Sequence, residues 1–137
     1  MPNAIFFYRI ANWCFTHKIP LIPTLMQLII FIVYASKVPY KCSIGKGSFF
    51  VVKGLGVILH DKTVIGKNCS IGAGCKIVGK SPYVNLSKVG DNVYIGPGSV
   101  IVGPVIIEDD VIIAPNAVVL KSAPKGSIVG GIPAKII

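Results

Sequence analysis

From Ile44 to Val119 the chain places an aliphatic or aromatic residue at almost every sixth position. Val89, Ile95, Ile101, Ile107, Ile113 and Val119 form one unbroken series. Leu59, Ile65, Ile71 and Ile77 form another, and the gap of twelve to Val89 keeps the phase. Ile44 and Phe50 begin the series, and a slip of three residues separates Phe50 from Leu59. The residue after each aliphatic is often small or acidic (Gly66, Gly72, Gly90, Gly96, Glu108, Ala114). The fourth after it is small or branched (Thr63, Cys69, Cys75, Val93, Ser99, Val105, Val111, Ala117). A period of six is not that of an amphipathic helix. It is the hexapeptide pattern of a parallel β-helix, in which each hexapeptide is a short strand plus a turn and three close a triangular coil. Equivalent positions then stack about 4.8 Å apart, the spacing of neighbouring strands. Small residues belong at the corners, where backbone approaches backbone. At roughly 18 residues per coil, the stretch from Ile44 to about Leu120 holds about four coils.

Residues 1–40 contain no glycine and read differently. Ile5, Tyr8 (or Phe7), Trp13 and Phe15 suit a short helix after Pro2–Asn3, and Lys18-Ile19-Pro20 reads as a break. A second apolar run, Leu21 to Ala35, contains Pro23 and Gln27. About 20 apolar residues are needed to span a bilayer, so this run is short for a span. The expectation is a helical hairpin packed on the rest of the protein or on a sister subunit, with peripheral membrane contact as the alternative. The chain therefore reads as mainly β, with a helical segment at 1–40 and a β-helix at 41–137. The helices and the C-terminal Pro-containing strip can cover the strand edges at the two ends of a solenoid.

The chain has 137 residues, enough for one core. Its 53% hydrophobic and 14% charged content demands extensive apolar burial, in the core, an interface or a membrane. A net charge of +9 attracts polyanions. The cations are scattered singly and are not interleaved with aromatics, which argues against nucleic acid. Anionic lipid and a phosphorylated cofactor remain. Cys14, Cys42, Cys69 and Cys75 form no CxxC and no Cys/His cluster, so no structural metal is expected. Cys69 and Cys75 occupy successive small interior positions and read as packing residues. No signal-peptide pattern is visible, and reduced thiols in a cytoplasmic protein are the simplest reading.

The stretches GVILHDKTVIGKNCSIGAGCKIVG (56–79) and VGDNVYIGPGSVIVGPVIIEDDVIIAPNAVV (89–119), with the ending SIVGGIPAKII (127–137), resemble the left-handed β-helix acyltransferases, above all the serine acetyltransferase branch. The resemblance covers about two thirds of the chain. It implies a single-stranded left-handed helix, a homotrimer, and acetyl-CoA lying in a groove between adjacent helices. By position it assigns Gly96, Ala114, Lys121 and the Gly131–Lys135 strip to CoA contact. For each glycine, a plain corner role is the alternative. Lys121, Lys125 and Lys135 lie in sequence near the end where CoA phosphates would sit.

Acetyl transfer to a hydroxyl needs a general base and donors for a developing oxyanion. Histidine suits the base role. His17 follows the first helical stretch and reads as a helix-end residue. His60 directly follows interior Leu59, where most coils carry a small or acidic residue, and is the favoured catalyst. Asp61 is adjacent, diverges from it, and could orient a substrate. The resemblance carries one departure: aligning Gly56–Leu59 to the family's GIVV-like strand puts Lys53 where that family has its catalytic histidine. Either His60 takes over, or Lys53 acts, or the protein is inactive. The serine acetyltransferases usually have a larger helical N-terminal domain and a cysteine-synthase-docking tail. The acceptor thus stays open between serine and a sugar or polysaccharide, on oxygen or nitrogen, with a trimeric scaffold as the non-enzymatic reading. A γ-type carbonic anhydrase would need three zinc-bound histidines, and the chain has two. Loops such as Gly79–Lys88 are expected to shape the acceptor pocket.

Overall fold

The structure, a computed structural model, describes residues 1–79 and 87–137. Two helices lead into a parallel β-solenoid with three faces. On the first face β1 (Ser43–Ile44), β3 (Val64–Ile65), β6 (Lys88–Val89) and β9 (Ile106–Ile107) stack in that order. On the second stand β2 (Phe49–Phe50), β4 (Ser70–Ile71), β7 (Tyr94–Ile95), β10 (Ile112–Ile113) and β12 (Ile128–Gly130). On the third are β5 (Lys76–Val78), β8 (Val100–Val102) and β11 (Val118–Val119). Ile44 pairs with Ile65, Ile65 with Val89, and Val89 with Ile107. The sixfold phase of the sequence is thus the interior ladder of the fold, and every member from Ile44 to Val119 is buried.

The fourth residue after each aliphatic also points inward: Cys69, Cys75, Ser99, Val111 and Ala117 are fully buried. Alternation explains this. A strand residue and the one across the next corner both face the axis, while Val64, Tyr94, Ile106 and Ile112 between them face out. Two of the three corners turn through a residue with positive φ, at Gly47, Asn68, Asn92 and Asp110 on one and Gly74, Gly98 and Asn116 on the other. Glycine, asparagine and aspartate tolerate that conformation best.

Three coils are complete, fewer than the four expected. The first turn has β1 and β2, but the three-residue slip forms a 3-10 turn, Val51–Gly54, in which Val52 and Lys53 have positive φ. Only isolated bridges at Lys37 and Ile58 continue the third face there. The last turn keeps β12 and a single bridge at Ala123. A parallel β-helix loses its regular strands at its ends because one neighbour is missing.

Both ends are covered. In a parallel strand alternate residues offer N–H and C=O to opposite edges, so β1 leaves Ile44 without a strand partner on one side. α1 (Ala4–Thr16) satisfies it. The Tyr8 hydroxyl accepts from the Ile44 N–H at 3.2 Å and donates to the Cys42 carbonyl. The Arg9 guanidinium donates to the carbonyls of Ile44 and Gly45, and Asn3 donates to that of Phe50 at 2.6 Å. α2 (Ile22–Tyr34) returns along α1, with the Tyr34 hydroxyl donating to the Pro2 carbonyl. At the far end β13 (Lys135–Ile136) folds back antiparallel on β12. The helical hairpin and the C-terminal strip therefore do at each end what their sequence position suggested. Arg9→Ala is expected to destabilise the protein by about 1–3 kcal/mol, because two half-buried carbonyls lose a charged donor. The urea midpoint reads this directly, and an unchanged midpoint would deny α1 its capping role.

Candidate active site

His60, Asp61, Lys62 and Thr63 make the turn that leads into β3. The turn closes on itself: the Thr63 N–H donates to the His60 carbonyl at 3.0 Å and the His60 N–H to the Thr63 hydroxyl at 3.1 Å. Thr63 is buried while His60, Asp61 and Lys62 are exposed, so the repeat phase itself pushes the imidazole outward. The Lys62 N–H donates to His60 Nδ1 at 3.2 Å. A neutral ring that accepts at Nδ1 carries its hydrogen on Nε2. Bonded to Lys62, His60 is a donor. Swung free, which its exposure permits, it can present an unprotonated nitrogen as a base.

The three corners divide the expected site residues. Along the edge between the third and first faces lie His60, Asp61 and, several coils further on, Lys121. At about 4.8 Å per coil, His60 and Lys121 are roughly 14 Å apart along the axis. Along the edge between the second and third faces lie Lys53, Gly96, Ala114 and Gly131. Within one chain the side carrying Ile58 separates Lys53 from His60. His17 caps α1 and stacks on Trp13 at 4.1 Å, outside the repeat.

Gly96 is buried, and a Cβ there would stand 2.6 Å from the Ile113 carbonyl oxygen and 2.7 Å from the Ala114 carbonyl carbon. The neighbouring coil alone accounts for this glycine. Ala114 is half-buried over Gly130, and Gly131 is exposed with positive φ. The C-terminal strip closes a cavity of about 290 Å³ against β11, lined by Val119, Leu120, Lys121, Ser122, Pro133 and Lys135 among others. It joins two of the lysines expected to hold phosphate to an apolar wall, a donor set suited to a phosphorylated, chain-like ligand. The sequence reading had Pro133 within the Gly131–Lys135 strip and missed Val119, Leu120 and Ser122. The fold-back of β13 sets Pro133 and Lys135 against that stretch. Of the loop 79–88, residues 80–86 lie outside the described residues.

Among the described residues no group of three His, Cys, Asp or Glu could hold a metal. The cysteines are interior. Burial pushes the Cys42 thiol up to about 12, and burial does the same for Cys75, also to about 12. Both should resist a thiol reagent at pH 8 until denaturant is added. Rapid labelling of the native protein at either would contradict their packing. An acid whose folded pKa is raised keeps its full stability contribution below the unfolded value, here 9.0, and loses it as pH rises toward 12. Stability should therefore decline above pH 9, and less so in Cys75→Ala.

Comparison with known proteins agrees with this architecture. Residues 87–121 match the bacterial transferase hexapeptide (six repeats) family, and residues 62–79 the hexapeptide repeat of succinyl-transferase. A serine acetyltransferase of Synechococcus elongatus is 27% identical over 137 residues, covering 98% of this chain and 56% of that protein. A crystal structure of serine acetyltransferase in complex with coenzyme A from Brucella abortus superposes with a TM-score of 0.91 at 27% identity, covering 98% of this chain and 54% of that one. The Neisseria gonorrhoeae serine acetyltransferase in complex with serine gives 0.88 at 26% identity, covering 98% and 55%. Repeat and fold together are those of a parallel β-helix built from hexapeptide repeats. Over 98% of its length the chain is similar to serine acetyltransferases in sequence and in fold. It spans about half the length of the curated relatives it matches.

Proposed function

We propose that the protein moves acetyl from acetyl-CoA to a small hydroxyl acceptor, with serine as the first candidate. The observation that carries this is the match over 98% of the chain to serine acetyltransferases, one of them in complex with coenzyme A and another with serine. The acceptor hydroxyl loses its proton to His60 as its oxygen attacks the thioester carbonyl. The carbon–sulfur bond then breaks, and the proton passes from the imidazole to the departing thiolate. Asp61 and Lys53 orient the acceptor. Lys121 and Lys135 meet the phosphates of CoA, and the edge at half-buried Ala114 and exposed Gly131 receives its pantetheine arm.

His60 and Lys53 stand on different edges, separated within one chain by the side carrying Ile58. A cyclic trimer packs the His60 edge of one copy against the Lys53 edge of the next and completes the site. Each interface is then heterologous and the ring closes. The cytoplasm, where acetyl-CoA is made and used, is the proposed location.

The test is release of CoA thiol from acetyl-CoA with L-serine as the sole acceptor. Release well above the acceptor-free rate supports the serine reading. No serine-dependent release, in protein that binds acetyl-CoA, transfers the assignment to a sugar hydroxyl or amine. Absence of acetyl-CoA binding leaves a scaffold.

A further inference from the structure

The helical hairpin presents a surface that acetyl transfer does not use. α2 buries Pro23, Ile30 and Tyr34 and turns the opposite stripe outward: Leu21, Leu25, Leu28 and Ile32, spaced four, three and four residues apart. Phe31 beside them is 61% exposed, and Leu21 is 81% exposed. α1 likewise buries Ala4, Tyr8 and Ala11 and exposes Phe6 and Trp13. A soluble surface rarely offers so many large apolar side chains together. Among the described residues no helix is long and apolar enough to cross a membrane.

Charge identifies what covers this surface. The first acidic residue of the chain is Asp61. The segment before it carries Arg9, Lys18, Lys37, Lys41, Lys46 and Lys53 with no carboxylate side chain to offset them. Lys37 lines a groove of about 380 Å³ with Leu28 and Phe31, which sets a cation directly beside the apolar stripe. Two such faces brought together would oppose like charges. An anionic bilayer satisfies both features, since its acyl region takes the leucines and phenylalanines while its headgroups neutralise the lysines. Trp13 has the amphipathic ring favoured at that boundary.

We infer that the outward face of the α1–α2 hairpin docks on an anionic lipid surface, with both helices lying in the interface plane. The stripe lies opposite the buried face of α2 and is continuous with the groove at Lys37. The assignment does not depend on which acceptor the enzyme uses.

Flotation of the full chain with vesicles tests it. Partitioning should be at least about tenfold stronger to phosphatidylglycerol-containing vesicles than to phosphatidylcholine alone, and should fall with salt. Leu25→Glu with Phe31→Glu should abolish flotation. Lys18→Gln with Lys37→Gln should remove only the anionic preference. Both pairs are exposed or lie at the rim, and an unchanged circular dichroism spectrum checks the fold. Equal binding to neutral vesicles overturns the assignment, as does no flotation at all. So does self-association by light scattering that the Leu25/Phe31 pair abolishes in a protein that ignores vesicles, because the face is then a contact between copies.

Discussion

Replacing His60 by alanine is expected to lower serine-dependent release of CoA thiol by about 10²–10⁴-fold, the usual worth of a positioned general base. The fold should not suffer, because the imidazole is exposed and, among the described residues, hydrogen-bonds only the Lys62 N–H. His60→Asn separates the two roles open to the ring. It keeps an N–H donor and no base, so retention of most of the activity would make His60 an oxyanion donor. Lys53→Glu should also impair turnover, from the other edge. Mixing the two inactive variants then decides how the site is built. In a randomly mixed ring about one interface in four joins an intact His60 edge to an intact Lys53 edge. Roughly a quarter of wild-type activity should return. A mixture no more active than the average of its components would place the whole site in one chain and remove the interface reading.

Gly72→Val is expected to destabilise the protein by more than about 3 kcal/mol and to split the solenoid between β4 and β7. A Cβ at Gly72 would stand 2.5 Å from the Pro97 nitrogen, and 2.7 Å from both the Gly96 carbonyl carbon and the Ile95 carbonyl oxygen. All three are backbone atoms of the next coil and cannot rotate aside. Relief requires the coils to separate, which breaks the Gly72 N–H bond to the Ile95 carbonyl, 2.9 Å long. By contrast Gly74 has nothing within 4 Å of its Cβ position. Gly74→Ala should cost only the strain of its φ of +69°, about 1 kcal/mol. Thermal or urea unfolding of the two variants measures the difference. Similar losses would mean that the corner spacing is not what these glycines maintain.

The fold was legible because a solenoid makes sequence period and spatial period the same thing. Ile65, Val89 and Ile107 stack as neighbours since one coil after another places the same phase at the same point. Even the irregular stretch between Phe50 and Leu59 was visible as a phase slip, and it became a 3-10 turn with Val52 and Lys53 at positive φ. The outward direction of His60 followed from the same phase. The two helices were legible from spacing and the break at Lys18–Pro20.

Periodicity did not fix what happens where the repeat stops. The coil count fell to three complete turns because the end turns lack a neighbour on one side. The role of Arg9 is invisible in the sequence. A lone arginine in an apolar helix acquires its meaning only when α1 lies over the open edge at Ile44 and Gly45. The cavity at Lys121 and Lys135 depends on β13 reversing direction against β12. The sorting of Lys53 and His60 onto different edges depends on which corner each turn occupies. Period alone thus determined the stacked core and its outward positions, since those are set by neighbours at a constant sequence interval. Only the tertiary structure decided the caps, the C-terminal cavity and the division of the site between two edges, since those join residues with no constant interval between them.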